Sequence, residues 1–393
     1  MLTLNRILLL TLTGLSSTGV KSIYKLFYQK LDYTKICRKN LSIEAGLKGS
    51  YIHINSDANS SLHNSAGDTV YQNNYTYDER VLAAYTTLSK TYKKISASIG
   101  LRAEQTDING LSKTTGFALN RSYLNFFPSS SFDYRLNEKN SLTAAYSYRI
   151  DRPGFDRMNP ARVYNDELNY SVGNPAIRPQ YTHDITLNYN YKSFVIISFD
   201  YFLTKDFMYW YSYTKSGSEV NIDTTFNFRL RNNYSLSVFI QKQIKRFNFQ
   251  VYSALMYYDF KSIIDGEVAN SATAQFYGAV KVQYSLPKNF KLEISSIYQS
   301  PFRDAIQLYT PVSSVNIVIN KSFLNKKLDI TLGVMDIFYS ENVFMSSRLP
   351  DQYYYSAQRG DTRRVRLTLN YKFGKMNVEQ KLKHDDTDRR FKK

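Results

Sequence analysis

Between Arg149 and Arg178 the chain sets Arg149, Arg152, Arg157, Arg162 and Arg178 among Asp156, Asn159, Asp166, Glu167 and Asn174. A guanidinium group is a rigid fork of donors that can meet an acceptor group through two bonds at once. These residues could therefore bind an anionic or hydroxyl-rich ligand. The competing reading is that they fasten a long loop to its neighbours and fill an interior. Nothing else in the sequence has chemistry of its own. His53, His63, His183 and His384 lie far apart, without a nucleophile or carboxylate at motif spacing. The single Cys37 cannot form an intramolecular disulfide, and with scattered histidines it leaves no zinc pattern. EF-hand and phosphate-loop motifs are also missing. The reading is a non-enzymatic protein with no cofactor and no metal.

The segments flanking this stretch show what must position it. Leu142, Ala144, Tyr146, Tyr148 and Ile150 alternate with Ser141, Thr143, Ala145, Ser147 and Arg149. On the outgoing side Tyr181, His183, Ile185, Leu187, Tyr189 and Tyr191 alternate with Thr182, Asp184, Thr186, Asn188, Asn190 and Lys192. A period of two puts each row on its own face of a strand. About 9 to 11 residues let a tilted strand cross a bilayer, so the pair reads as a transmembrane β-hairpin.

The loop also carries a series of short elements: Arg152-Pro153, Asn159-Pro160, Gly173-Asn174-Pro175, Arg178-Pro179 and Tyr181-Thr182-His183. In this order they resemble the RP, NP, GNP, xP and YTH series of TonB-dependent outer-membrane receptors of the Bacteroidetes type. The similarity extends from about Leu31 to about Gly374. It implies a barrel of about 22 strands with an N-terminal plug, importing ligands too large for porins. Val334-Met335-Asp336-Ile337-Phe338 is similar to the xxDxF element of the penultimate strand in such receptors. Asp336 falls there on the row of Leu332 and Val334, so either a bulge turns it inward or it lies beyond the hydrocarbon zone.

Composition agrees with a membrane barrel. The chain has 35 Tyr and 24 Phe against one Trp, and tyrosine suits both strands and interfacial girdles. No run of about 18 apolar residues occurs, which excludes helical spans. The net charge of +18 raises nucleic acid as a partner, but that reading needs a recognisable reading element and none occurs. Lysine and arginine fall in short turns, at lumen-side strand positions and in the tail.

In chain order, alternation predicts about fifteen strands whose connections alternate between short turns and long loops, as in membrane barrels. Ser56 to Tyr75 reads as a long polar loop. The aromatic group Met208-Tyr209-Trp210-Tyr211 reads as a girdle emerging from the membrane, with a vestibule wall as the other possibility. Loops 151–179 and 341–360 are expected on the same, extracellular side. The organisation predicted is a signal-like or remnant segment 1–20, an all-β antiparallel barrel 21–374 in the cell outer membrane, and a polar tail 375–393. An odd count makes the barrel part of a larger receptor without its plug, unless Ile7 to Leu15 adds a strand. The partners expected are outer-membrane lipid, the barrel-assembly machinery, a plug-bearing fragment or TonB system, and an imported ligand. The rival readings are a passive barrel or receptor remnant, and a secreted basic β-protein that binds glycans.

Overall fold

A chain with period-two alternation satisfies its backbone donors and acceptors in ladders between neighbouring strands. The computed structural model describes residues 2–4, 8–15, 20–38, 40–64, 67–166, 168–192, 194–214, 218–264, 267–349 and 352–373. Its principal sheet holds fifteen long strands from Val20 onward: Val20–Arg38, Leu41–Asn64, Gly67–Tyr92, Ile95–Ser112, Ala118–Asn137, Asn140–Asp151, Gln180–Tyr191, Val195–Thr214, Asn221–Ile244, Phe247–Lys261, Ser271–Leu286, Phe290–Gln299, Val312–Phe323, Leu328–Met335 and Arg364–Tyr371. Each pairs antiparallel with the next. These are the strands expected from the alternation. Leu8–Leu15 adds an antiparallel pass against Val20–Arg38, with Leu8 opposite Tyr28 and Leu15 opposite Lys21. Among the described residues no pairing joins this leading strand to Arg364–Tyr371.

The turns after Arg38, Tyr92, Asn137, Tyr191, Ile244, Leu286 and Phe323 lie at one end of the meander, and the long connections 151–179 and 341–360 lie at the other. Near the turns, the outward row of the wall is apolar and exposed: Leu82, Leu88, Ile99, Leu101, Leu187, Phe199, Leu236, Leu255, Ile294 and Leu369 belong to it. This is the lipid face. Short turns on the periplasmic side and longer loops outside are the usual orientation of such barrels.

Above the apolar band both faces exchange character without a break in register. Along Gly67–Tyr92 the outward row passes from Leu82 to Arg80 and Asp78, while the inward row becomes Glu79, Tyr77 and Tyr75, all fully buried or nearly so. The new outer face is held by polar pairs: Tyr51 Oη donates to Asp78 at 2.5 Å, and Arg80 Nη2 meets Asp107 at 2.7 Å. The stretch from Ser56 to Tyr75 is therefore no loop. Leu41–Asn64 and Gly67–Tyr92, of 24 and 26 residues, stay paired out to Asn64 opposite Gly67. Leaving the lipid removes the demand for an outward apolar row, but the ladder continues.

The tip formed by 207–214 and 221–228 carries packed side chains on both faces. Tyr209 and Tyr211 pack with Phe228, Phe260, Ala305 and Ile306. Met208, on the opposite face, joins Phe155, Met158 and Ile177. The aromatic group at 208–211 is thus a vestibule wall and not a lipid girdle, because loop residues cover Tyr209 and Tyr211 on one side and Met208 on the other, leaving Trp210 exposed between wall and loop. Phe302–Asp304, Gln307–Tyr309, Val343–Leu349 and Gln352–Gln358 form a separate four-stranded sheet.

Asp336 ends its strand with φ at +44°, just past Met335 on the long-loop side. Its carboxylate accepts from Ser340 N at 3.0 Å, Glu341 N at 3.1 Å and Thr362 Oγ1 at 2.6 Å. Burial alone would raise this carboxyl; the hydrogen bonds from Thr362, Ser340 and Glu341 outweigh it and hold the pKa below the ordinary value. Asp336 is fully buried just past the last paired residue of its strand, and it ties the last long connection together.

Candidate functional site

The loop between Asp151 and Gln180 folds into the lumen. Proline and glycine at 153 and 154 lead into a single helical turn, Phe155–Met158, and the chain returns through the antiparallel pair Arg162–Asp166 and Asn169–Val172. A short parallel pairing of Asn169–Ser171 with Asn221–Asp223 attaches this pair to the vestibule hairpin. Phe155, Met158 and Ile177 are buried against Ile52, Ile54, Tyr75, Tyr77 and Ile108 of the wall. Phe155 stacks on Tyr75 with ring centroids 5.7 Å apart and meets Tyr24 edge-on at 6.2 Å.

A buried polar chain fixes the loop's depth. Asn73 Nδ2 donates to Asn159 Oδ1 at 3.2 Å, Ser112 Oγ to Asn73 Oδ1 at 2.8 Å, and Ser22 Oγ to Ser56 Oγ at 2.9 Å. Asn159 Nδ2 reaches Ser56 Oγ at 3.4 Å and links the two halves. The chain crosses four strands of wall, and buried polar groups of this kind are costly only if left unpaired.

Of the ten loop residues singled out in the sequence, most serve as fasteners. Arg152, with its side chain 9% exposed, forms an ion pair with Glu104 and donates to Thr106 Oγ1 at 2.7 Å. Arg178 Nη2 meets Asp206 at 2.6 Å, and Asn227 holds the Arg178 backbone from both sides. Asn174 Nδ2 donates to the Thr225 carbonyl at 3.0 Å, while Asn174 N donates to the Arg157 carbonyl at 2.7 Å. Arg162 lies over the rings of Tyr170 and Tyr71 at 5.0 and 5.7 Å. Arg149 pairs with Asp184 at 2.6 Å on the wall below. Arg157 is exposed, Asp166 pairs through its backbone with Asn169, and Glu167 lies outside the described residues.

Asp156 and Asn159 are the two that reach a cavity of about 350 Å³ between loop and wall. Ser22, Tyr24, Phe155, Val163 and Trp210 also line it. The arrangement offers aromatic faces with a carboxylate, an amide and a hydroxyl at the edge. Ser22 and Tyr24 escaped sequence reasoning, and Trp210 entered it only within the group read as a girdle or a vestibule wall. One signal pointed to them: within Leu41–Asn64 the apolar residues change from odd positions, up to Tyr51, to even ones at Ile52 and Ile54. Such a switch in an unbroken strand means that something apolar packs inside. Among the described residues no three His, Cys, Asp or Glu side chains gather to hold a metal. No helix there is long and apolar enough to cross a membrane.

The glycine of Gly173-Asn174-Pro175 has a definite job. A Cβ at this position would lie 2.7 Å from Asn159 N and 2.8 Å from the Asp156 carbonyl oxygen, and closer still to the Asn159 carbonyl oxygen. Backbone cannot step aside as a side chain can. Gly173→Ala is expected to destabilise the inserted loop by about 1–3 kcal/mol, as overpacking does. Trypsin should then cut the folded protein at Arg157 and Arg162 faster than wild type; unchanged cleavage would disprove the close packing.

The profile of the outer membrane protein β-barrel family matches residues 11–371. This chain belongs to that family. It is accordingly a protein of the cell outer membrane with lipid against its outer face. Its fold resembles that of the siderophore receptor PiuA from Acinetobacter baumannii (TM-score 0.63, 10% identity, covering 90% of this chain and 56% of PiuA). It also resembles the FrpB iron transporter from Neisseria meningitidis in its apoprotein form (0.61, 12%, 90% and 57%). A third similar structure is the ferric yersiniabactin uptake receptor FyuA from Yersinia pestis (0.60, 11%, 89% and 55%). The chain spans little more than half the length of these structures. No curated protein sequence matches it.

Proposed function

We propose that this barrel is the wall of a ligand-uptake receptor of the TonB-dependent type, and that it recognises its ligand at the cavity beside the inserted loop. The observation that carries this reading is the position of the loop. The segment with the receptor-like RP, NP and GNP elements packs into the lumen against Tyr24, Tyr75 and Ile108 and narrows the path that a passive pore would keep open. Passage then requires the loop to move, and binding at Phe155, Asp156 and Asn159 couples occupancy to that movement. Energised import further requires a plug and a TonB system working with this barrel, on the same polypeptide or another, and insertion requires the barrel-assembly machinery. No residue is assigned a catalytic role.

The test is uptake in the native host. Cells without the gene, and cells without the TonB system, should both lose uptake of the same compound from a panel of ferric siderophores, ferric citrate, cobalamin, oligosaccharides and peptides. Wild-type gene should restore it, and a Trp210→Ala, Phe155→Ala gene should not. A discrete passive conductance of the folded chain in bilayers, with uptake indifferent to the TonB system, would replace this reading with that of a passive pore.

A further inference from the structure

The short turns share a property that neither the barrel fold nor ligand uptake requires. Lys93, Lys192, Lys245, Lys288 and Lys326 stand in five of the short hairpin connections, each exposed, and each has a positive φ, of 52°, 51°, 52°, 57° and 68°. Tight hairpin turns need this left-handed backbone, and glycine or asparagine supplies it with least strain. Here a lysine occupies the position five times. Strain accepted by a lysine in several of the turns points to a role for the side chain.

Two further observations identify that role. None of the five ammonium groups pairs with a carboxylate among the described residues, whereas basic residues of the upper barrel do: Arg152 with Glu104, Arg178 with Asp206 and Arg231 with Asp304. Lys93 lies over the ring of Tyr92 and Lys192 over that of Tyr191, each 5.3 Å from the centroid. Tyr92 is 59% exposed, so the first of these ammonium groups sits at the level of an outward aromatic side chain, where headgroups meet hydrocarbon.

We propose that the turn rim is a docking surface for anionic phospholipid headgroups of the periplasmic leaflet, with the lysines forming a ring of contacts to lipid phosphates. Clustered basic residues at a membrane surface attract anionic lipid, and the attraction falls with ionic strength. The ring would fix the depth of the barrel and draw a shell of anionic lipid around its base.

Asparagine suits a positive φ, so Lys→Asn at all five positions removes charge while favouring the turns. The full chain, wild type or five-fold variant, is extracted from outer membranes in mild neutral detergent, and phosphatidylglycerol and cardiolipin retained per protein are measured by mass spectrometry. Wild type should retain anionic lipid above its share in the membrane, and the variant about fivefold less or lower still. Washing the wild type with high salt should release the same lipid, a readout that stands even if the variant fails to fold. Equal retention by the two proteins, retention indifferent to salt, or loss from the variant of an acidic protein instead of lipid would each overturn the proposal.

Discussion

Arg152→Met is expected to cost roughly 3 kcal/mol or more and to release the inserted loop. Breaking a buried ion pair from one side costs about 3–5 kcal/mol, because the remaining charge stays buried without its partner. Glu104 has only 5% of its side chain exposed, and Arg152 is its most buried counter-charge. The lower end of the range applies because Arg102 Nε also approaches Glu104, at 3.3 Å. Thr106 loses its donor as well. Arg152→Met combined with Glu104→Met should recover part of the loss, since the pair's own two charges go together while buried Glu79 still loses the Arg152 charge. Denaturation midpoints of the folded proteins, with trypsin cleavage at Arg157 and Arg162 as a local readout, decide the matter. Equal midpoints for wild type and the single variant would show that the pair does not hold the loop.

The second large effect lies on the opposite face of the wall. Leu369 is the middle member of the outward row Val365, Leu367, Leu369, Tyr371 and Phe373, and it is 64% exposed on the lipid side. Leu369→Arg should cost about 2–4 kcal/mol near the midplane, where an arginine has to reach for the interface. Thr368 faces inward, on a polar cavity it lines with Asn370 and Lys372. Thr368→Arg should cost far less. Folding yield in lipid, read as the heat-modifiable fraction on cold gels, compares them. Equal yields would mean that the faces of this strand have been assigned the wrong way round.

Much of this architecture is legible from alternation alone. All fifteen long strands from Val20 onward fall where an apolar row repeats every second residue, because lipid on one side and water on the other sort the side chains of each strand. Legibility ends where that contrast ends. Beyond Leu82 both sides of the hairpin meet protein or water, so the polar run from Ser56 to Tyr75 looks like a loop although its ladder continues. The candidate site is less readable. Arg152, Asn159 and Arg178 are conspicuous as chemistry, yet each is paired to the wall, and no local pattern gives partners 28 to 103 residues away. The cavity draws its aromatic lining from Tyr24, Phe155 and Trp210, which only the curved meander and its inserted loop bring together. The vestibule residues 208–211 show the same limit, since an exposed aromatic at a membrane and a buried one under a loop have the same alternation.

The long hairpin of 41–92 and the separate four-stranded sheet would respond very differently to a change in length. In a continuous ladder, one residue inserted into Leu41–Asn64 near Tyr51 would shift everything above it by one position and send Ile52 and Ile54 outward, leaving Phe155 without its bed. The small sheet has its own pairing and joins the wall through irregular segments around 300, 310, 340 and 360. Those segments can take up added or lost residues while every strand below keeps its register. Lengthening and shortening are therefore tolerated on the flank that carries Val343–Leu349 and Gln352–Gln358. That flank is where members of one barrel design can diverge in what they present to the outside while keeping the wall and its inserted loop unchanged.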